Sequence, residues 1–223
     1  MDFQSIISNL LVTMPIFLLS LSVHEAAHAL SAYYLGDTTA RDLGRVTLNP
    51  VPHIDFLGTI VMPVLSAFTG GAALIGWAKP VPVDWRNLRN IRRDDTLIAL
   101  AGPASNIVLS VLFFAGLVVA TNGTIDVSTG TPGELFYRFM RYGLIINIAL
   151  AVFNMIPIPP LDGSHVVANT LPDDMADKYR SMGLYGMIIL LLLLNFTPLR
   201  GLLSSVIVGI YYWYMDVARL WFS

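Results

Sequence analysis

His24 and His28 stand four residues apart, with Glu25 between them, in the run Ser22-Val23-His24-Glu25-Ala26-Ala27-His28-Ala29-Leu30. On an α-helix that spacing stacks the two imidazoles on one face. Two neutral imidazoles so placed can hold one Zn2+, and the neighbouring carboxylate can act as general base toward a water. The plainer reading is a helix with two hydrogen-bonded core histidines. A third ligand elsewhere in the chain would separate the two.

The segment that must position these groups is apolar. From Ile16 to Leu35 nearly every other residue is apolar, small or hydroxylated, and about 20 such residues can cross a bilayer. A carboxylate and two imidazoles are costly in lipid, so they are expected to face a protein interior or a wet cavity. Of the 223 residues 55% are hydrophobic and 13% charged, with mean hydropathy +0.67. Soluble domains carry about 25% charged residues, so the class is an all-α polytopic membrane protein whose first partner is the lipid bilayer. A net charge of −2 and the lack of a basic, aromatic-interleaved patch give no sign of a nucleic-acid partner. With no cysteine, any metal site must use His, Asp, Glu or water. Met1-Asp2-Phe3-Gln4 lacks the basic start of a cleaved signal peptide, so the first apolar segment is expected to be retained.

The pattern predicts about five spanning helices plus one re-entrant or sixth spanning segment, with short extended stretches. The first helix begins between Ile6 and Pro15 and ends at Gly36-Asp37. A polar connector follows to Asp55, in which Val46, Thr47 and Leu48 permit a short strand. Phe56 to Trp77 is apolar but interrupted by Pro63 and Gly70-Gly71, so it could span or dip in and return. Ala78-Lys79-Pro80-Val81-Pro82-Val83 reads as extended chain, since each residue before proline disfavours helix. Arg86, Arg89, Arg92 and Arg93 mark a polar interfacial stretch. Spanning helices are expected from Thr96 to Thr121 and from about Leu135 to Met155, then from Leu184 to Asn195 and Leu199 to Phe222. Tyr211, Tyr212, Trp213, Tyr214 and Trp221 read as lipid-interface aromatics. Residues 1–223 form one integral-membrane domain, with a core at 6–163 and a C-terminal helical pair at 184–222.

A catalytic zinc site usually takes three protein ligands and leaves a fourth position to water. His53, His165 and the carboxylates are the candidates. Asp162 fits best: Pro157, Pro159 and Pro160 break the helix before it, and unwound backbone in a membrane protein is tolerated where it lines a cavity.

Three motifs together resemble the site-2 protease family of intramembrane metalloproteases. They are His24-Glu25-Ala26-Ala27-His28 in a spanning helix, Ala101-Gly102-Pro103-Ala104-Ser105-Asn106 in a later one, and Asn154-x-x-Pro157-x-Pro159-x-Leu161-Asp162-Gly163. The stretches Leu48-Asn49-Pro50 with His53-Ile54-Asp55, and Gly76 to Val83, look like its compact members. The resemblance implies that His24, His28 and Asp162 bind one Zn2+ per chain and that Glu25 is the catalytic carboxylate. Asn154 would help hold the substrate backbone, with Pro157 beside it. The loop from Asn122 to Gly133 is far too short for the PDZ domain of larger relatives.

Other residues carry two readings each. Asn106 would either line the active site or make an interhelical hydrogen bond. His53 would touch substrate or hold its loop, and His165 would support Asp162. The implied function is an intramembrane zinc endopeptidase acting on single-span membrane proteins in regulated intramembrane proteolysis, at a site nearer the cytoplasmic face of the cell membrane. The alternatives are a membrane metal-ion carrier and an inactive protease-like scaffold. If Phe56–Trp77 re-enters, ten Lys and Arg share one face against Arg138, Arg141 and Arg200 opposite. If it spans, Arg41 and Arg45 change sides and the count becomes eight against five. The positive-inside rule favours the first.

Overall fold

Helix α1 runs from Phe3 to Leu35 in the computed structural model, which describes residues 3–68, 76–123 and 125–222. Its 33 residues rise about 50 Å, more than a hydrocarbon core of about 30 Å requires. Gly36 closes it with φ +115, a conformation that favours glycine. The next amide, Asp37 N–H, returns to Ala32 O at 2.9 Å.

Short helix α2 (Thr39–Asp42) leads into a connector of bends. The strand permitted at Val46–Leu48 does not form. Thr47 O accepts from His53 Nε2, and Thr47 Oγ1 accepts from Asn49 N–H, so local contacts hold this stretch where a ladder partner would be needed. A π-helical turn (Phe56–Val61) then passes into α3 (Met62–Phe68). The expected break at Gly70-Gly71 lies outside the described residues.

The chain does come back to where it left. Trp77 N–H donates to Gly58 O at 3.2 Å, and Thr59 Oγ1 donates to Trp77 O at 2.8 Å. Gly76 to Asp84 has no regular secondary structure, as the prolines require, and ends against the foot of α1. There Asp37 Oδ2 accepts from Asp84 N–H, and Asp37 Oδ1 accepts from Asn87 Nδ2. Burial alone would raise the Asp37 carboxyl, but hydrogen bonds from Thr39, Asn87 and the Asp84 amide outweigh it and hold it below the usual carboxylate range. One buried side chain thus ties the end of α1 to the start of the next long helix.

That helix, α4 (Ile91–Thr121), begins five residues before the expected Thr96. The side chain of Asn90 caps it by accepting from Arg93 N–H. A charged first turn at Arg92–Asp95 reads as loop when only apolar periodicity is followed. Helix α5 (Pro132–Asn154) also starts early, with Thr131 accepting from Glu134 N–H, Glu134 accepting from Gly130 N–H, and Pro132 in the first turn.

The expected irregular backbone at Asp162 is corrected. Residues 155–161 are turns and bends, and Asp162 is the first residue of α6 (Asp162–Ala168). A second short helix, α7 (Asp173–Arg180), follows, with Asp173 and Asp174 in its first turn. Helices α8 (Gly183–Phe196) and α9 (Leu199–Phe222) follow.

Among the described residues α1, α4, α5 and α9 are long and apolar enough to cross a membrane. A fifth span arises if α7 and α8, bent by 68°, count as one. This is an all-α polytopic membrane protein, and no strand occurs among the described residues. The core is built where α1, α4, α5 and α9 meet, from Val12, Ile16, Phe113, Leu117, Leu144, Ile148 and Tyr214. Tyr214 is therefore corrected from the lipid-interface group: it is buried, and its hydroxyl pairs with Ser110 Oγ at 3.0 Å. Tyr212 and Trp213 are exposed, as expected of lipid-facing aromatics, and the side chain of Trp221 lies outside the described residues.

Candidate metal centre

The α-helical repeat of α1 brings His24 and His28 to one face, both buried, and Asp162 arrives from the start of α6. The Nε2 atoms of the histidines are 3.0 Å apart. Asp162 Oδ2 lies 3.2 Å from His24 Nε2, and Oδ1 lies 3.4 Å from His28 Nε2. A tetrahedral site with bonds of about 2.0–2.1 Å has ligand-to-ligand edges of roughly 3.3 Å, so these separations suit one small cation.

The outer nitrogens decide what the inner ones present. His28 Nδ1 is 2.7 Å from Ile98 O, which can only accept, so Nδ1 carries the proton and Nε2 the lone pair. His24 Nδ1 is 2.6 Å from Asn106 Oδ1. The orientation of that amide is anchored further out. Asn147 Nδ2 donates to Gly143 O and Ser20 Oγ, and Asn147 Oδ1 accepts from Asn106 Nδ2. Asn106 must then turn its oxygen to His24, and Nε2 of His24 also carries a lone pair. Two lone pairs and a carboxylate thus face one another, and Asp162 Oδ2 is a buried atom with no hydrogen-bond partner. Such a set repels itself unless a cation or proton sits within it, so the residues fit a metal ion. Among the described residues this is the group of His and carboxylate side chains with ligand atoms close enough for one.

Glu25 is buried beside this cluster, and its Oε2 accepts from Val81 N–H at 3.2 Å. Pro80 and Pro82 flank Val81 and have no N–H, so Val81 offers an isolated donor. Among the described residues, the backbone contacts of Trp77, Lys79 and Val81 lie on one edge of the extended segment. The backbone groups of Trp77, Lys79 and Val81 face Gly58, Thr59, His53, Arg45 and Glu25. Buried Arg45 donates to Lys79 O.

The remaining sequence candidates do not join the group of possible ligands. Asn106 is fully buried and its amide is hydrogen-bonded to His24, Asn147 and Ser20 O; it orients a histidine. His53 is buried in its own loop, between Thr47 O and Arg45. His165 turns to Asp95 of α4. Asn154 Nδ2 donates to Leu150 O in its own helix, and Pro157 O accepts from the Tyr179 hydroxyl. Asn147 and Asp95 were not singled out from the sequence. Asn147 is a polar residue inside a clear span, and that was the available signal.

Apolar spans that bury a His-His-carboxylate cluster define a polytopic membrane protein with an internal metal centre. The chain belongs to peptidase family M50. The profile of Peptidase family M50 matches residues 121–194, the stretch that holds α5 and Asp162. YwhC of Bacillus subtilis (strain 168), assigned by name as a zinc metalloprotease, is 35% identical over 199 residues, 87% of this chain and 83% of its own. Rip2 of Mycolicibacterium smegmatis, similarly assigned, is 28% identical over 90% of this chain and 71% of its own. MJ0611 of Methanocaldococcus jannaschii, also so assigned, is 41% identical over 70 residues, 31% of each chain. No solved structure gives a significant match. The family and the donor set agree on Zn2+ as the cofactor.

Proposed function

We propose that the chain is an intramembrane zinc endopeptidase of the His-Glu-x-x-His type that cuts the transmembrane segment of single-span membrane proteins, and so serves regulated intramembrane proteolysis. The observation that carries this reading is the burial of His24, Glu25 and His28 within α1, a helix apolar along its length, with Asp162 completing the set. His24, His28 and Asp162 would hold the metal, which when bound polarises a carbonyl and makes water a nucleophile at neutral pH. Glu25 takes the proton of the attacking water and returns it to the leaving amine. The Val81 N–H holds the Glu25 carboxylate for that task.

A helical substrate must unwind before its peptide bonds are accessible, and its freed amides then need acceptors. In extended chain successive residues turn their backbone groups to opposite sides. With Trp77, Lys79 and Val81 facing inward, the carbonyls of Ala78, Pro80 and Pro82 form the outer edge, on which an unwound segment can add as a strand. Asn154 and Pro157 are further candidate contacts with it. The ten-to-three distribution of Lys and Arg, with α1 ending beside the start of α4, supports a centre nearer the cytoplasmic face of the cell membrane.

Co-expression with single-span test substrates decides the matter. The wild type should cleave, and Glu25→Gln should lose about 10^2- to 10^4-fold in rate while keeping its zinc. Metal-dependent uptake into liposomes without proteolysis would instead identify a carrier, and zinc binding with neither activity a scaffold.

A further inference from the structure

Asp95 is 3% exposed, lies in the first turn and a half of α4, and takes no part in the chemistry above. Three side chains converge on it. His165 Nδ1 is 3.1 and 3.2 Å from its two oxygens, Asn169 Nδ2 donates to Oδ2 at 2.8 Å, and Arg180 Nη2 is 3.9 Å away. Arg180 also donates to Asn169 Oδ1 at 2.6 Å, and its guanidinium lies 5.0 Å over the Trp85 ring. Asn169 reaches Thr96 Oγ1 as well.

The spacing says what this cluster does. Asp162, His165 and Asn169 fall at i, i+3 and i+7, one face of α6 extended to the residue that caps its C-terminus. Asp95, Ile98, Gly102 and Asn106 fall at i, i+3, i+7 and i+11, one face of α4. The two faces meet, so the helix that delivers the third ligand is gripped by the same stripe of α4 that holds both histidines. Seven residues are too few for a helix to hold itself, and the buried residues of α6 are the small Gly163, Ser164 and Ala168. Apolar burial there is slight, and the polar grip must supply the register.

We propose that Asp95 is a positioning residue for the metal centre: by holding His165 and Asn169 it fixes α6 on α4 and thereby sets Asp162 at the metal. This rests on the assignment of His24, His28 and Asp162 as ligands. The test uses the full-length protein in detergent or nanodiscs, with zinc affinity measured by chelator competition and site geometry by the visible absorption of Co2+. Asp95→Ala should bind zinc about tenfold more weakly or worse and show altered Co2+ bands. Asp95→Asn should fall between it and wild type. Asp173→Ala, which removes only an exposed pair with Arg92, should match wild type. If Asp95→Ala does not fold, Asp95→Asn and His165→Ala, the latter at a partly exposed residue, carry the test. Wild-type affinity and Co2+ spectrum in the folded variants would overturn the positioning role. Failure of the wild type itself to bind either ion would instead overturn the ligand assignment.

Discussion

The backbone of Gly102 lies against the ligand edge of His24: a Cβ built there would stand 2.6 Å from Nε2, and closer still to Nε2 of His28. The glycine of the Ala-Gly-Pro stretch is thus a space-maker for the metal site. Gly102→Ala should push at least one imidazole off its position and strip the zinc. Metal content by elemental analysis, set beside a thermal melt to verify folding, checks this. Full occupancy in a folded Gly102→Ala protein would refute it.

Ligand and base separate cleanly by metal content. His28→Ala and Asp162→Ala should lose both zinc and cleavage, whereas Glu25→Gln should lose cleavage alone. Full zinc in Asp162→Ala would remove that carboxylate from the metal.

The amide chain from Gly143 O through Asn147 and Asn106 fixes which nitrogen of His24 carries its proton. Asn106→Leu should weaken zinc binding about 10- to 100-fold, as loss of a ligand's outer hydrogen bond does. Asn147→Leu should produce a smaller loss, because Asn106 can still reach His24 without a fixed orientation. Chelator competition on both variants reads the order of effects, and equal affinities in all three proteins would sink the account.

Arg45 acts at a remove from the metal. Its bond to Lys79 O holds the extended segment that presents Val81 N–H to Glu25. Arg45→Ala should leave zinc bound and lower the cleavage rate by about a hundredfold, the scale of a misplacement of about 1 Å. Rates at saturating substrate, compared with zinc content, distinguish this from loss of the metal.

The Trp77–Gly58 bond and the Asp37 tie place the foot of α1 beside the head of α4. Single cysteines at Thr39 and Asn90 should therefore label from one side of the membrane, and one at Ser128 from the other. The chain has no native cysteine to interfere. Labelling of Thr39 and Asn90 from opposite sides would require a different path for residues 58–77.

What could be read in advance was whatever depends on one helix at a time. The pair His24 and His28 follows from the helical repeat, and the extended Ala78–Val83 follows from its prolines. Helix starts were missed where the first turn is charged, as at Arg92–Asp95, since capping and not apolar periodicity sets them. Roles that need two helices in contact stayed open. In the sequence Asn106 fits a cavity lining and an interhelical bond equally well; the packing of α1 and α5 against it provides the bond. The roles of Asp95 and Asn147 depend on partners distant in sequence, and aromatics near a span end, Tyr214 among them, look alike whether they meet lipid or Ser110.

The third ligand is delivered late. During synthesis α1 enters the membrane with both histidines and Glu25 already in place, but two imidazoles alone make a poor zinc site, and Asp162 emerges only after α4 and α5. The nascent chain therefore passes through insertion with its cutting machinery unassembled. If Asp162 is the third ligand, as proposed, docking of α6 completes the centre, and a chain that stops before Asp162 would lack the set needed to cut.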